Sequence, residues 1–294
     1  QLREIRDDLP PGFYRELPKL AEGPLAGYPR VYGIAWAFVA HTDSRFDPEM
    51  LRRFLQAYQR VEALTVGELW AVPITLRIVL VENLRRLAQS IVRARAARQE
   101  ADALADAMLG VDARVEPTAN GLRRFEGQPL VTAFAVQLVQ RLRDQDRAAT
   151  PALSWLDRRL QAQGTTSDDI VRLEHQRQAA MNVTVRNVIL SMTLISALDW
   201  AEFFETVSLV DQVLQSAPGY LAMDFATRDA YRHAVEQLSR GSGHSELDVA
   251  REAVAEASRV DAGAHRRRDP GFHLIGPGRL DFERTLRHLP EDSP

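Results

Sequence analysis

Residues 65–109 read TVGELWAVPITLRIVLVENLRRLAQSIVRARAARQEADALADAML, and this stretch decides the fold class. Thr65 and Glu68 have the T-x-x-E spacing of a capping box, in which a hydroxyl and a carboxylate satisfy backbone amides at a helix start. Only Pro73 interrupts the pattern beyond it. From Ile74 to Leu109 nothing breaks the helix before Gly110, which at 1.5 Å per residue predicts a rod of about 54 Å. Its second half is rich in alanine and charge with a thin apolar stripe, so it is expected to protrude or to pack along one partner.

Working outward, Leu2, Ile5 and Leu9 have the spacing of a short helix that Pro10 and Pro11 end. Pro18, Pro24, Gly27 and Pro29 punctuate a non-regular lead-in, with a helix expected from Pro29 toward His41. Asp47 before Pro48 reads as an N-cap, with Phe46 poised as the staple residue.

On the other side, residues 110–127 hold Pro117 and the Asn120-Gly121 turn pair and read as a hinge. Helices are expected at 129–143, 150–161 and 167–198. Residues 188–198 are apolar nearly all the way round, which places them at the centre of a bundle. Asp199 with Glu202, Thr227, and Ser245 with Asp248 mark further starts, and a last short helix covers 280–288. No run alternates with period two and no fixed-length repeat is present. The expectation is an all-α multi-helix bundle with one very long helix, in two lobes: 1–110, a hinge at 111–127, and 128–294.

Composition narrows the function classes. A net charge of −3 and a pI near 6.2 give no electrostatic reason to expect nucleic acid as a partner. Lys19 is the single lysine among 37 basic side chains, which a GC-rich genome explains most simply. The absence of cysteine removes disulfides, thiolate metal sites and cysteine nucleophiles. Uninterrupted apolar runs such as residues 31–40 fall short of the ~20 residues that cross a bilayer, so no transmembrane segment is expected. Gln1 opens the chain without an initiator methionine or signal segment, and the chain is read as a fragment.

Few constellations suggest chemistry. Asp144-Gln145-Asp146 is a literal D-x-D between Arg143 and Arg147, best explained as a solvated helix end. None of Trp36, Trp70, Trp155 or Trp200 follows an arginine, so the Q-x-x-R-W acceptor element of processive glycosyltransferases is missing. Glu68 and Glu82 lie fourteen residues apart, about 21 Å along a helix, beyond the roughly 5–10 Å of a glycosidase acid pair. Arg77, Glu82, Asn83 and Arg86 read instead as a buried polar network. Glu202 and Glu205 read as a cap and a solvated face.

Tyr28, Tyr32 and Trp36, four residues apart, make the sharpest binding hypothesis, since rings on one helix face stack on sugars; core packing is the competing reading. His41, Asp43, Arg45 and Asp47 cluster in a turn, where a hydrogen-bonded scaffold accounts for them. No histidine pair has metal-ligand spacing and no metal is assigned. The basic run from His265 to Arg268 reads as a linker, or as a contact with lipid headgroups.

Longer strings say more. The runs ELPKLAEGPLAGYPRVYGIAWAFVAHTDSRFDPEMLRRF (16–54) and LTVGELWAVPITLRIVLVENLRRLA (64–88) resemble the amino-terminal region of the cyclic β-1,2-glucan synthases. SLVDQVL (208–214), MDFATRDAYRHAVEQLSR (223–240) and FHLIGPGRLDFE (272–283) agree in the same order. The resemblance covers residues 1–289 and is least distinctive over 94–121.

It implies a very large inner-membrane parent that polymerises glucose from UDP-glucose into cyclic β-1,2-glucan, with the catalytic domains carboxy-terminal to this region. The family's initiating tyrosine matches none of Tyr14, Tyr28, Tyr32, Tyr58, Tyr220 or Tyr231 by motif, and no catalytic residue is carried over. The resemblance therefore implies a non-catalytic scaffold or regulatory domain without a cofactor of its own, on the cytoplasmic side of the membrane, with the rest of the polypeptide as partner. A glycan-handling module contacting β-1,2-glucan is the alternative, and an independent hydrolase the third reading.

Overall fold

The computed structural model describes residues 12–108, 125, 129–143, 150–260 and 265–288. Among these the regular structure is helical, with one isolated backbone bridge between Lys19 and Pro29. In chain order the helices are α1 (Phe13–Glu16), α2 (Arg30–His41), α3 (Pro48–Tyr58), α4 (Val66–Met108), α5 (Thr132–Arg143), α6 (Thr150–Ala162) and α7 (Ser167–Ala197). Then come α8 (Trp200–Val207), α9 (Leu209–Leu214), α10 (Phe225–Ser242), α11 (Glu246–Ser258), α12 (Pro270–Leu274) and α13 (Arg279–His288). The all-α expectation holds.

Helix starts follow local chemistry. Asp47 caps α3 through the Met50 amide, and Asp199 caps α8 through the Ala201 and Glu202 amides. Thr65 Oγ1 accepts from the Glu68 amide while the Glu68 carboxylate accepts from the Thr65 amide, completing the box at α4. Asp224, rather than Thr227, caps α10, and Gly243 ends it at a left-handed φ of 80°. Pro29 is the N-cap of α2, with Arg30 the first helical residue.

Pro73 lies inside α4, which runs on through 43 residues. A proline there removes one intrahelical bond. Ala71, Val72, Ile74, Thr75 and Leu76 are all buried around it, so tertiary packing holds the backbone helical.

Two compact units form, residues 1–80 with 190–294, and residues 81–189. This grouping cuts across the lobes 1–110 and 128–294, because α4 and α7 each contribute to both units. Most of the expected hinge, 111–127, lies outside the described residues, as do the short helix at 2–9 and Asp144-Gln145-Asp146.

In the unit of residues 81–189, Ala101, Leu104 and Ala105 of α4 pack with Phe134, Leu138 and Leu142 of α5 and Leu156 and Leu160 of α6. The alanines on α4 let a neighbour approach closely; the thin stripe packs along partners. In the other unit α11 is a hub against which α9, α10 and α12 pack, and α8 packs on α3.

One placement is corrected. Residues 188–198 are not enclosed: Val188, Ser191, Met192 and Ile195 are buried, but Ile189, Leu190 and Leu194 are about half exposed. Composition shows that a helix is apolar all round; it does not show whether its own chain covers every side.

Candidate functional site

The sequence-predicted residues fall in three places. Tyr28, Tyr32 and Trp36 do come together along the start of α2, with ring centroids 5.2 Å and 6.2 Å apart. Tyr28 stacks on Tyr32 at 25°, so these two rings cover each other's faces instead of forming one open platform, while Tyr28 is 52% exposed. On the adjacent side of α2, a shallow apolar hollow is lined by Leu20, Leu25, Gly33, Ile34, Phe54 and Tyr58.

Beneath that hollow Arg30 is buried. It donates to Glu68 at 2.8 and 2.5 Å and to the Ala63 carbonyl, and it also pairs with Glu62. Burial disfavours its charge, but the Glu68 and Glu62 carboxylates outweigh that and hold its pKa above the usual value. Glu68, fully buried, is therefore occupied by its cap and its arginine.

Glu82 carries Arg85 and Arg86 on its own helix, and together they hold its carboxyl down at about 2. Arg86 is exposed and Glu82 and Asn83 half-buried, so the burial expected of this group does not hold. Arg77 reaches Ser196 Oγ at 3.5 Å. Glu205, read as solvated, instead binds Arg228 and Arg232.

The HTDSRFD turn has a scaffold role. Asp43 and Ser44 adopt φ of 48° and 62°, and Ser191 Oγ of α7 donates to the Ser44 carbonyl while accepting from the Phe46 amide. Trp200 Nε1 donates to the Ile195 carbonyl. One side of α7 is thereby pinned to the α2–α3 turn, and Leu190, Thr193, Leu194 and Ala197 occupy the opposite, exposed side at helical spacing.

The most developed polar constellation was invisible to spacing arguments. Asp211 of α9 and Arg232 of α10, both fully buried, meet at 2.8 Å, and Tyr220 donates to the same Asp211 oxygen at 2.6 Å. Gln215 satisfies the other oxygen. The guanidinium sits between the Phe204 and Phe225 rings at 5.1 and 4.8 Å, and Trp70 stacks on Phe204. Burial, and then the Asp211 bond, push the Tyr220 hydroxyl pKa up. The nearest sequence signal was the string SLVDQVL; nothing linked its Asp211 to an arginine twenty-one residues on.

The neighbouring string has a similar role. Tyr231 donates to Asp269, which also caps the Gly271 amide, and a Cβ at Gly271 would fall 2.0 Å from the Tyr231 hydroxyl. Glycine there allows the close approach that seats α12 against α10.

A second buried carboxylate, Glu246, accepts from the Val66 amide at 2.6 Å. Burial raises its pKa to about 7, helped by the Glu236 and Glu68 charges. Among the described residues, Glu22 is the one carboxylate lining the hollow at α2 and α3, and Glu283, paired with Arg279, the one lining that at α10 and α13. Among the described residues no group of His, Asp and Glu could hold a metal ion. Arg266, Arg267 and Arg268 are exposed on a short 3₁₀ turn.

Over an 18-residue window α7 is long and apolar enough to cross a membrane by length and composition, and only 22% of that window is buried. Counting uninterrupted apolar runs missed it, because isolated polar residues such as Asn187, Ser191 and Thr193 break the run.

No family model matches the chain. It is 36% identical over 98% of its length to the cyclic beta-(1,2)-glucan synthase NdvB of Rhizobium meliloti (strain 1021), and it spans a tenth of that protein's length. The resemblance read from the five strings thus extends along nearly the whole chain.

Proposed function

We propose that this chain, similar along almost its full length to a tenth of a cyclic β-1,2-glucan synthase, is a non-catalytic helical scaffold of an enzyme of that family. Its partner is the remainder of the same polypeptide, whose activity builds cyclic glucan from UDP-glucose at the bacterial inner membrane, with this segment on the cytoplasmic side. The observation that carries the reading is the half-open helix α7: Leu190 and Leu194 are exposed while Ser191, Met192 and Ile195 are buried. An apolar helix face left open beside a firmly pinned one is the chemistry of an interface.

The internal polar groups fit this role. Glu68, Asp211 and Arg232 are committed to caps and ion pairs inside the bundle, where they fix geometry and are closed to substrate. The aromatic ladder supports glucan contact less well, since Tyr28 and Tyr32 stack on each other.

The test is a full-length synthase carrying Leu190→Glu with Leu194→Glu. Both sites are exposed, so the isolated chain should keep its helicity and melting temperature, while the full-length protein loses most of its cyclic glucan output. Full output from the double variant would contradict the scaffold reading.

A further inference from the structure

In the unit of residues 81–189, one face of α4 presents Arg86, Gln89, Ser90 and Arg93, spaced by three and four residues so that all look the same way. Together with Ala94, Val131, Ala133 and Arg177 they line a hollow of about 330 Å³. Arg177 of α7 donates to Ser90 Oγ at 3.0 Å, which brings its guanidinium to the α4 side of the hollow. Arg93 is exposed and has no carboxylate partner among the described residues.

The charge does not balance. No described carboxylate lines the hollow, and the acid beside it, Glu82, is shared between Arg85 and Arg86. Arg86, Arg93 and Arg177 thus line one concave surface to which no described residue brings a carboxylate, and Arg93 has no acid of its own. Such an arrangement costs Coulomb energy until an anion enters.

A second, independent feature has the same sign. Val131 and Ala133 bring the first turn of α5, a twelve-residue helix, to the rim. The first bond within that helix is from the Ala135 amide to the Val131 carbonyl, so the amides before it have no partner inside the helix. Amides and dipole at a helix start favour an oxyanion.

We propose that this hollow is a binding site for a phosphate oxyanion, borne by a small phosphorylated molecule or by a phospholipid headgroup. Arg86, Arg93 and Arg177 supply forked donors suited to tetrahedral oxygens, Ser90 and Gln89 supply neutral donors, and the α5 start supplies backbone amides. The site is separate from every residue used in the scaffold reading and stands whether or not that reading holds.

The experiment titrates the 294-residue chain with inorganic pyrophosphate by calorimetry, beside Arg93→Gln, the Arg93→Gln/Arg177→Gln pair, and Arg95→Gln as a control of equal charge on the same helix. Circular dichroism confirms that each variant is folded. Saturable binding, weakened about tenfold by Arg93→Gln, lost in the double variant and kept in Arg95→Gln, is the expected result. Vesicles of phosphatidylcholine with and without phosphatidic acid then assign the source: Arg93-dependent capture on the acidic vesicles points to the headgroup, and pyrophosphate binding without capture to a soluble ligand. No saturable binding to either probe, or equal weakening by Arg95→Gln, would overturn the proposal.

Discussion

Two buried carboxylates of the same unit are treated in opposite ways. Asp211 is ringed by donors: Arg232 and Tyr220 on one oxygen, Gln215 on the other. Glu246 has the Val66 amide and the negative charges of Glu236 and Glu68 nearby, with Arg240 opposing them. The first site compensates its charge with an arginine. At the second, burial pushes the carboxyl up to about 7, so it holds its proton into mildly acidic pH. Burial penalises charge at both; an arginine faces one carboxylate and like charges face the other.

The largest expected effect comes from breaking the compensated pair. Asp211→Asn leaves the buried Arg232 guanidinium without its main counter-charge, with Glu205 and Asp229 at the edge. A loss of about 3 kcal/mol is expected from urea denaturation, in line with buried pairs that lose one partner. A loss under about 1 kcal/mol would mean that solvent reaches the site and that the contrast with Glu246 is false.

The protonated site sharpens the comparison with a smaller, pH-dependent effect. A carboxyl whose pKa is raised on folding penalises the fold as pH climbs from its unfolded value of about 4.5 through its folded value. With the folded value at about 7, the unfolded chain ionises first, and stability falls between roughly pH 4.5 and 7 and stays lower above. Glu246→Gln keeps an acceptor for the Val66 amide and cannot ionise. The variant should gain about 1–3 kcal/mol relative to the parent chain on going from pH 5 to pH 8, read from paired urea midpoints. Parallel profiles would show that Glu246 is ionised in the fold.

Much of the fold was legible because its signals are local. Asp47, Thr65 with Glu68, Asp199, and Ser245 with Asp248 cap the helices that their spacing announced. The uninterrupted run to residue 108 needed no tertiary information. What spacing could not supply was partnership across the chain. Arg30 meets Glu68 thirty-eight residues on, and Phe46 meets Ser191 across 145 residues. The open side of α7 was hidden for the same reason, since apolar residues look alike whether their own chain or another covers them. The rings of residues 28, 32 and 36 neighbour one another, with Tyr28 just before the helix, but only ring geometry showed that Tyr28 and Tyr32 face each other.

The central claim, that the exposed face of α7 is an interface with the rest of a longer polypeptide, is open to direct chemical measurement. The chain contains no cysteine, so Leu194→Cys places one thiol on that face. Its maleimide labelling rate would be read by peptide mass spectrometry in the isolated chain with empty nanodiscs added, and in the full-length synthase held in the same nanodiscs. Fast labelling in the isolated chain with strong protection in the full-length protein is the predicted result. Equal rates in both would contradict it, and protection of the isolated chain by the empty nanodiscs would assign the face to lipid instead.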